Sequence, residues 1–234
     1  MITQIYTMQT IEEALAIIDA GVDHLGITPG ENNLPGEVGY EKAFSIFDAV
    51  KGKVTRVALT VSTDINEIVQ MVQAVQPDIL HICGPSSTIM PPAALYQLRR
   101  RLPGIRIMQA ISVADRSAVS LCMKYQDAAD IIILDTEVST IGGVGASGAT
   151  HDWSISREIV QRSKIPVILA GGLSADNVEA AVKAVRPWGV DSLTHTNRPL
   201  ENGGFRKDIN KIRQFVVNAN NADKANKADS AGSV

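Results

Sequence analysis

Short apolar runs alternate with amphipathic stretches from one end of the chain to the other. Strands are expected at Thr3–Met8, His24–Thr28, Val54–Val61, Ile79–Cys83, Ile105–Ile111, Ile131–Leu134, Pro166–Ala170 and Gly189–Leu193. Each is followed by a helical pattern, at about Ile11–Ala20, Tyr40–Val50, Ile65–Ala74, Pro91–Leu102, Ala114–Lys124, Ser154–Ser163, Ala175–Val185 and Lys207–Val217. Ile11, Ala14, Leu15 and Ile18 share one helical face, and Thr10 with Glu13 forms a capping-box pattern ahead of it. Asp64 and Glu67 repeat that pattern before Ile68, Met71 and Val72. Ser174 is placed to cap the seventh helix. The strands are nearly continuous apolar runs, as in a parallel sheet buried on both faces. Eight strand–helix units predict an α/β fold, a single (β/α)8 TIM barrel over residues 1–217; a doubly wound open sheet is the alternative. The longest irregular stretches, Pro29–Gly39, Asp135–Trp153 and Thr194–Arg206, all follow strands, and in a barrel they would crowd the C-terminal face where active sites sit. From Asn218 to Val234 the sequence is mostly Asn, Ala, Asp, Lys and Ser, and a disordered tail is expected.

Composition narrows the function classes. The 234 residues carry 22 basic and 25 acidic side chains, a formal charge of −3. That balance offers no electrostatic footprint for nucleic acid or an anionic membrane, so neither is an expected partner. No apolar run approaches the roughly 18 to 20 residues of a membrane span. The start, Met1-Ile-Thr-Gln-Ile, lacks the layout of a secretory signal. Cys83 and Cys122 form no metal or disulfide pattern, which points to a cytoplasmic protein with reduced thiols. Nor do the four histidines and the carboxylates show metal-ligand spacing, so no metal is expected.

Three segments carry chemistry. In Ile165-Pro-Val-Ile-Leu-Ala-Gly-Gly-Leu-Ser-Ala-Asp-Asn-Val an apolar strand ends in Gly171-Gly172 just before a helix. Glycine admits close backbone approach, and free N–H groups near a helix start favour an anion; a ligand-free tight turn has the same pattern. The loop Ile141-Gly-Gly-Val-Gly-Ala-Ser-Gly-Ala-Thr can fold over a substrate, with Ser147 and Gly148 at its centre, or serve as a plain connection. Asp135 ends the run Ile131-Ile-Ile-Leu at the barrel mouth. Shielding from water there would raise its pKa towards general-acid use, although a cap or ion-pair role fits the same position.

With these residues in view the chain resembles the phosphoribosylanthranilate isomerase family from about residue 3 to 217. The matching stretches are Glu12-Glu-Ala with Ala20-Gly-Val-Asp-His-Leu-Gly, Leu134-Asp-Thr, Gly145-Ala-Ser-Gly-Ala-Thr-His-Asp-Trp-Ser and Leu169-Ala-Gly-Gly-Leu-Ser-Ala-Asp-Asn-Val. Val185-Arg-Pro-Trp-Gly-Val-Asp and Lys207-Asp with Lys211-Ile-Arg follow. The resemblance implies an Amadori rearrangement of an N-linked ribose phosphate to a 1-amino-ketose. It also implies Asp135 as the acid, and a phosphate held by Gly171, Gly172 and the loop after strand eight. Departures cluster at the mouth. Tyr6 stands where the family's basic Cys belongs, and a phenol with a pKa near 10 is a poor base. Gly36 replaces the Arg that anchors the anthranilate carboxylate, with Glu31 and Glu37 nearby. Cys83 aligns with the family's His, and Leu193-Thr-His-Thr-Asn replaces Ser-Ser-Gly.

Cys83 and His81 are two apart on a strand and face the same way. A thiolate assisted by imidazole could therefore replace the lost base; a small buried hydrophobe beside a core histidine is the plainer alternative. Thr194 and His195 follow strand eight, where His195 could donate to phosphate with Arg198 adding charge, or be solvated. Tyr6 is a proton donor or a ring wall. His151, His24 and Cys122 are expected to be structural. The leading expectation is an isomerase of the aldose–ketose type acting on a sugar phosphate or N-ribosyl phosphate with an altered aglycone. No organic cofactor is needed, the partner is a small phosphorylated substrate, and the protein is a monomer or homodimer. An epimerase or lyase on the same barrel, or an inactive barrel that binds a phosphorylated ligand, are the alternatives. No lysine falls on an inward strand end, which argues against a Schiff-base aldolase.

Overall fold

The computed structural model describes residues 1–84, 86–136, 150–201 and 203–231. Eight parallel strands close into one barrel in sequence order. They are β1 (Ile2–Ile5), β2 (His24–Ile27), β3 (Thr55–Thr60), β4 (Ile79–Ile82), β5 (Arg106–Ser112), β6 (Ile131–Asp135), β7 (Val167–Leu169) and β8 (Gly189–Ser192). Closure is made by β1 against β8, with Gln4 opposite Asp191. The open sheet is thereby excluded.

Helices α1 (Ile11–Asp19), α2 (Tyr40–Ala49), α3 (Ile65–Val75), α4 (Pro92–Arg101), α5 (Ser117–Tyr125), α6 (Trp153–Arg162), α7 (Val178–Val185) and α8 (Ile209–Ala231) follow the strands. Their starts obey local chemistry. Thr10 Oγ1 accepts the Glu13 N–H at 3.2 Å, the cap expected there, while the Glu13 carboxylate reaches one residue further back to accept the Gln9 N–H at 2.9 Å. Asp64 accepts from the N–H groups of Asn66 and Glu67. Ser174 sits further out than expected: its hydroxyl accepts the Asp176 N–H in a turn that precedes α7.

Alternation along each strand divides the core in two. Outward residues such as Leu25, Ile27, Leu80, Ile82, Ile132 and Leu134 pack beneath the helices. Inward residues, among them Val57, Ile79, Met108, Ile131, Ile133 and Ile168, fill the barrel as a solid plug, not a pore. Two corrections concern the C-terminal part. Lys207, expected to start the last helix, lies in a two-stranded hairpin of β9 (Asn197–Pro199) and β10 (Phe205–Lys207), which turns through Gly203 and Gly204 at φ +85° and +76°. The segment from Asn218, expected to be disordered, continues α8 to Ala231. Its apolar face consists of alanines: Ala219 and Ala222 are buried in line with Ile212 and Phe215. Asn218 and Asn226 donate to the carbonyls of Ala175 and Val182, and Asp223 pairs with the N-terminal ammonium at 3.1 Å. Alanine is the strongest helix former but weakly apolar, so a hydropathy pattern passes over it. Among the described residues no helix is long and apolar enough to cross a membrane.

A chain ending at residue 217 is expected to lose about 2 kcal/mol of stability, from two buried alanines and the side-chain bonds to backbone. Chemical denaturation measures it; an unchanged midpoint would return the segment to the status of a tail.

Candidate active site

The inward residues at the C-terminal ends of β6, β7 and β8 meet in one cleft. It is lined by Asp135, Gly171, Gly172, Leu173, Asp191, Ser192, Leu193, Thr194 and His195. Gly171 and Gly172 take φ of +85° and +62°. A Cβ on Gly171 would lie 2.5 Å from Thr136 Oγ1 and 3.2 Å from Asp135 Oδ1, so the glycine is required both by conformation and by the closeness of β6. Asn177 holds the turn by donating to the Gly172 carbonyl at 2.9 Å and accepting the Ser174 N–H at 2.8 Å. Ser192 Oγ donates to the Leu173 carbonyl at 2.7 Å and ties the turn to β8. Thr194 and His195 lie on a single 3-10 turn at the rim, both exposed. The sequence-derived acid, glycine turn and strand-eight loop thus converge. Ser147 and Gly148 lie outside the described residues.

Asp135 Oδ1 accepts the Thr136 N–H at 2.6 Å. Burial pushes its carboxyl up to about 7, the backbone bond opposing it. Behind it, Thr136 Oγ1 meets His151 Nδ1 at 3.1 Å, and His151 Nε2 meets Ser156 Oγ at 2.7 Å. Burial lowers His151 to about 4, so a neutral ring supports Thr136 beside Asp135.

Beneath the mouth, Tyr6 is buried with its ring against Gly26, where a Cβ would come within 2.3 Å of it. Its hydroxyl is 2.8 Å from His81 Nδ1. Burial first, then the charge of Asp191, raises the phenol well above its ordinary value. Tyr6 therefore keeps its proton at neutral pH, with its ring packed in the barrel interior. His81 and Cys83 do share the barrel interior; His81 Nδ1 meets the Tyr6 hydroxyl, its Nε2 has no hydrogen-bond partner among the described residues, and burial lowers the ring to about 3. Cys83 lies in the apolar interior with Tyr6 and Met108, just beyond β4, which the strand order sets opposite β8. One nitrogen of His81 is thus taken by a phenol, a partner that the local sequence pattern does not show. His24 is a structural barrel histidine, 3.1 Å from Gln4 Oε1. Cys122 is buried on α5, its thiol raised to about 12 by burial.

Two polar residues at the mouth escaped the sequence reading. Asp191 on β8 is buried, its Oδ1 has no hydrogen-bond partner among the described residues, and burial with the nearby Asp135 charge raises it to about 8. Lys207 reaches under the rim from β10, donating to the Tyr6 carbonyl and to Asn197 Oδ1 at 2.6 Å; burial lowers it to about 7. A carboxylate inside Gly189-Val-Asp-Ser was a visible signal for the first. Nothing local marked the second, because its burial depends on the hairpin. Among the described residues no cluster of three or more His, Cys, Asp or Glu is placed to hold a metal.

A larger groove of about 1050 Å3 lies over the ends of β2 and β3, with Glu31, Glu37, Glu41, Asp64 and Glu67 along it. Glu37 folds back onto the N–H groups of Asn32 and Leu34. Gly36, at φ +71°, is capped by the Phe205 ring, which a Cβ there would approach to 2.7 Å.

A closed barrel whose polar residues gather where β6, β7 and β8 end belongs to the (β/α)8 class that places its active sites at the C-terminal face. Comparison with known proteins makes the class specific. The family model for N-(5'phosphoribosyl)anthranilate (PRA) isomerase matches residues 3–218, and the chain belongs to that family of isomerases. The N-(5'-phosphoribosyl)anthranilate isomerase of Methanocella arvoryzae is 32% identical over 207 residues, 88% of this chain and 92% of that one. That of Haloarcula marismortui is 34% identical over 212 residues, 90% and 92% of the two chains. The crystal structure of phosphoribosyl anthranilate isomerase from Thermotoga maritima superposes with a TM-score of 0.78 at 25% identity, over 94% of this chain and 100% of that one.

Gly171→Ala is expected to cost about 2 kcal/mol, from left-handed strain plus crowding against Thr136. Gly104→Ala, with the same sign of φ but open space around it, should cost about 1 kcal/mol. Equal losses in urea titrations would remove the crowding.

Asp135 also sets a pH dependence. An unfolded Asp loses its proton near 3.9, whereas the folded one keeps it up to about 7. Unfolding between those values releases a proton, so the stability cost of Asp135 is absent at low pH, grows through this window and is complete above it. Asp135→Asn still accepts from Thr136 and should be more stable than wild type by about 2 kcal/mol at about pH 8, with no gain at about pH 4. A gain that does not vary with pH would contradict the raised carboxyl.

Proposed function

We propose that the protein catalyses an Amadori-type aldose–ketose isomerisation of an N-linked ribose 5-phosphate. One observation carries the reading: Asp135, raised to about 7 by burial, lines the same cleft as the Gly171-Gly172 turn. A ligand phosphate on that turn, with Thr194 and His195 at its edge, sets the ribose ring over the acid. Asp135 then protonates the ring oxygen as the C1–O bond breaks and the nitrogen lone pair forms an iminium. A base must next take the proton from C2. The reaction moves protons alone, so acid and base groups suffice without an organic cofactor.

The aglycone is proposed to differ from anthranilate. Gly36 occupies the place of the carboxylate-anchoring Arg, and the ring of Phe205 leaves no room for a side chain there. Glu31, Glu37 and Glu41 outnumber Lys42 in the groove beside it, which disfavours an acid. A neutral or cationic amine suits that rim better.

The test is turnover of N-(5'-phosphoribosyl)anthranilate and of its uncharged analogue N-(5'-phosphoribosyl)aniline. Wild type is expected to prefer the aniline by about 10-fold in kcat/KM, and Asp135→Asn to lose on the order of 100-fold or more in kcat on both. A preference for the anthranilate would overturn the aglycone reading alone. No turnover of either by folded protein would overturn the isomerase reading in favour of a barrel that only binds phosphorylated ligands.

A further inference from the structure

We propose that Asp191 is the base that takes the proton from C2, acting from the strand beside the position that Tyr6 has closed. The inference rests on the isomerase reading above. Its geometric basis is the closing seam of the barrel. Asp191 lies opposite Gln4 on β1, one inward position below Tyr6, so its carboxyl borders the space in which the family's thiol would stand. It lines the cleft that holds Asp135 and the glycine turn. Its Oδ1 has no hydrogen-bond partner among the described residues. An unpaired buried carboxyl oxygen is costly, and a chain retains such a group where it has work to do. Cys83, the other candidate, follows the opposite strand and is not among the residues of this cleft.

The charged and titratable groups facing Asp191 are Asp135 from β6, Tyr6 just after β1 and Lys207 from β10, and His195 of the loop after β8 lines the same cleft. Burial and the Asp135 charge favour its neutral form, while Lys207 and the Gln4 amide favour the ionised one. Lys207 acts on Asp191 and is not among the groups that shift Asp135. Two carboxyls shielded from water in one cleft do not both ionise near neutrality, so the pair holds one proton; it rests mainly on Asp191, which is raised the further of the two, and the reacting form is the one in which Asp135 carries it and Asp191 is ionised beside Lys207. That is the stoichiometry the reaction needs. Asp135 gives a proton to the ring oxygen as the ring opens. Asp191 takes one from C2, whose C–H electron pair becomes the C1=C2 bond while the C=N pair returns to nitrogen. Ketonisation then removes the proton from the C2 hydroxyl and adds one at C1. Nothing is oxidised or reduced overall, and the pair again holds one proton, transferred from Asp135 to Asp191.

The experiment is the pH profile of kcat/KM and kcat on whichever phosphoribosylamine the wild type turns over. The wild type should show an acidic limb near neutrality, where the base ionises. Asp191→Asn should lower kcat on the order of 1000-fold with KM nearly unchanged, and its residual rate should lack that limb. Wild-type turnover with no acidic limb near neutrality overturns the proposal without recourse to any variant. So does retention of the limb and of kcat within about threefold in Asp191→Asn, or their loss in Cys83→Ala alone; in these cases the isomerase reading stands. Absence of wild-type turnover overturns the isomerase reading itself and the base with it.

Discussion

Everything at the mouth depends on closure of the barrel between β1 and β8. Without that seam the last strand would be an edge and Asp191 would face solvent. With it, Asp191 is set opposite Gln4 and the ends of β6, β7 and β8 surround one cleft. Residues 56 positions apart, Asp135 and Asp191, become electrostatic neighbours. The solid apolar plug below them keeps water out, and exclusion of water lifts both carboxyls from their usual acidic range into the neutral one. The fold thus spends stability on its chemistry, holding two acids where they prefer to keep a proton.

The same interior explains how Tyr6 is accommodated. A phenol needs more space than a thiol, and Gly26 provides it by leaving the neighbouring wall bare. The hydroxyl then needs a partner and takes His81. Tyr6 just after β1, Gly26 on β2 and His81 on β4 therefore form one packed unit. Lys207 fastens the top of it through the Tyr6 carbonyl, and Phe205 from the same hairpin covers Gly36. The hairpin after β8 thus ties the end of β1 to the loop after β2.

The barrel was legible in the sequence because period-two apolar runs and capped helices alternate without interruption, and the acid and glycine turn were legible because both sit at strand ends. Other features were not. Cys83 and His81 were rightly set on one face, but the partner of His81 comes from β1, which no local pattern reveals. Asp191 reads as one polar residue in a short strand until closure fixes its neighbours. The last turns of α8 pack through alanine and through asparagine bonds to backbone carbonyls, neither of which registers as hydropathy. Lys207 is buried only because a glycine turn folds its strand back over the rim.

The account makes the cleft between β6 and β8 the place of reaction. The most direct measurement is a crystal structure with a stable analogue of the ketose product, 1-anilino-1-deoxyribitol 5-phosphate. The account predicts its phosphate on the Gly171-Gly172 turn and the loop of Thr194 and His195, with C1 and C2 between the carboxyls of Asp135 and Asp191. A phosphate bound elsewhere, or C2 lying against Cys83 and away from Asp191, would contradict it.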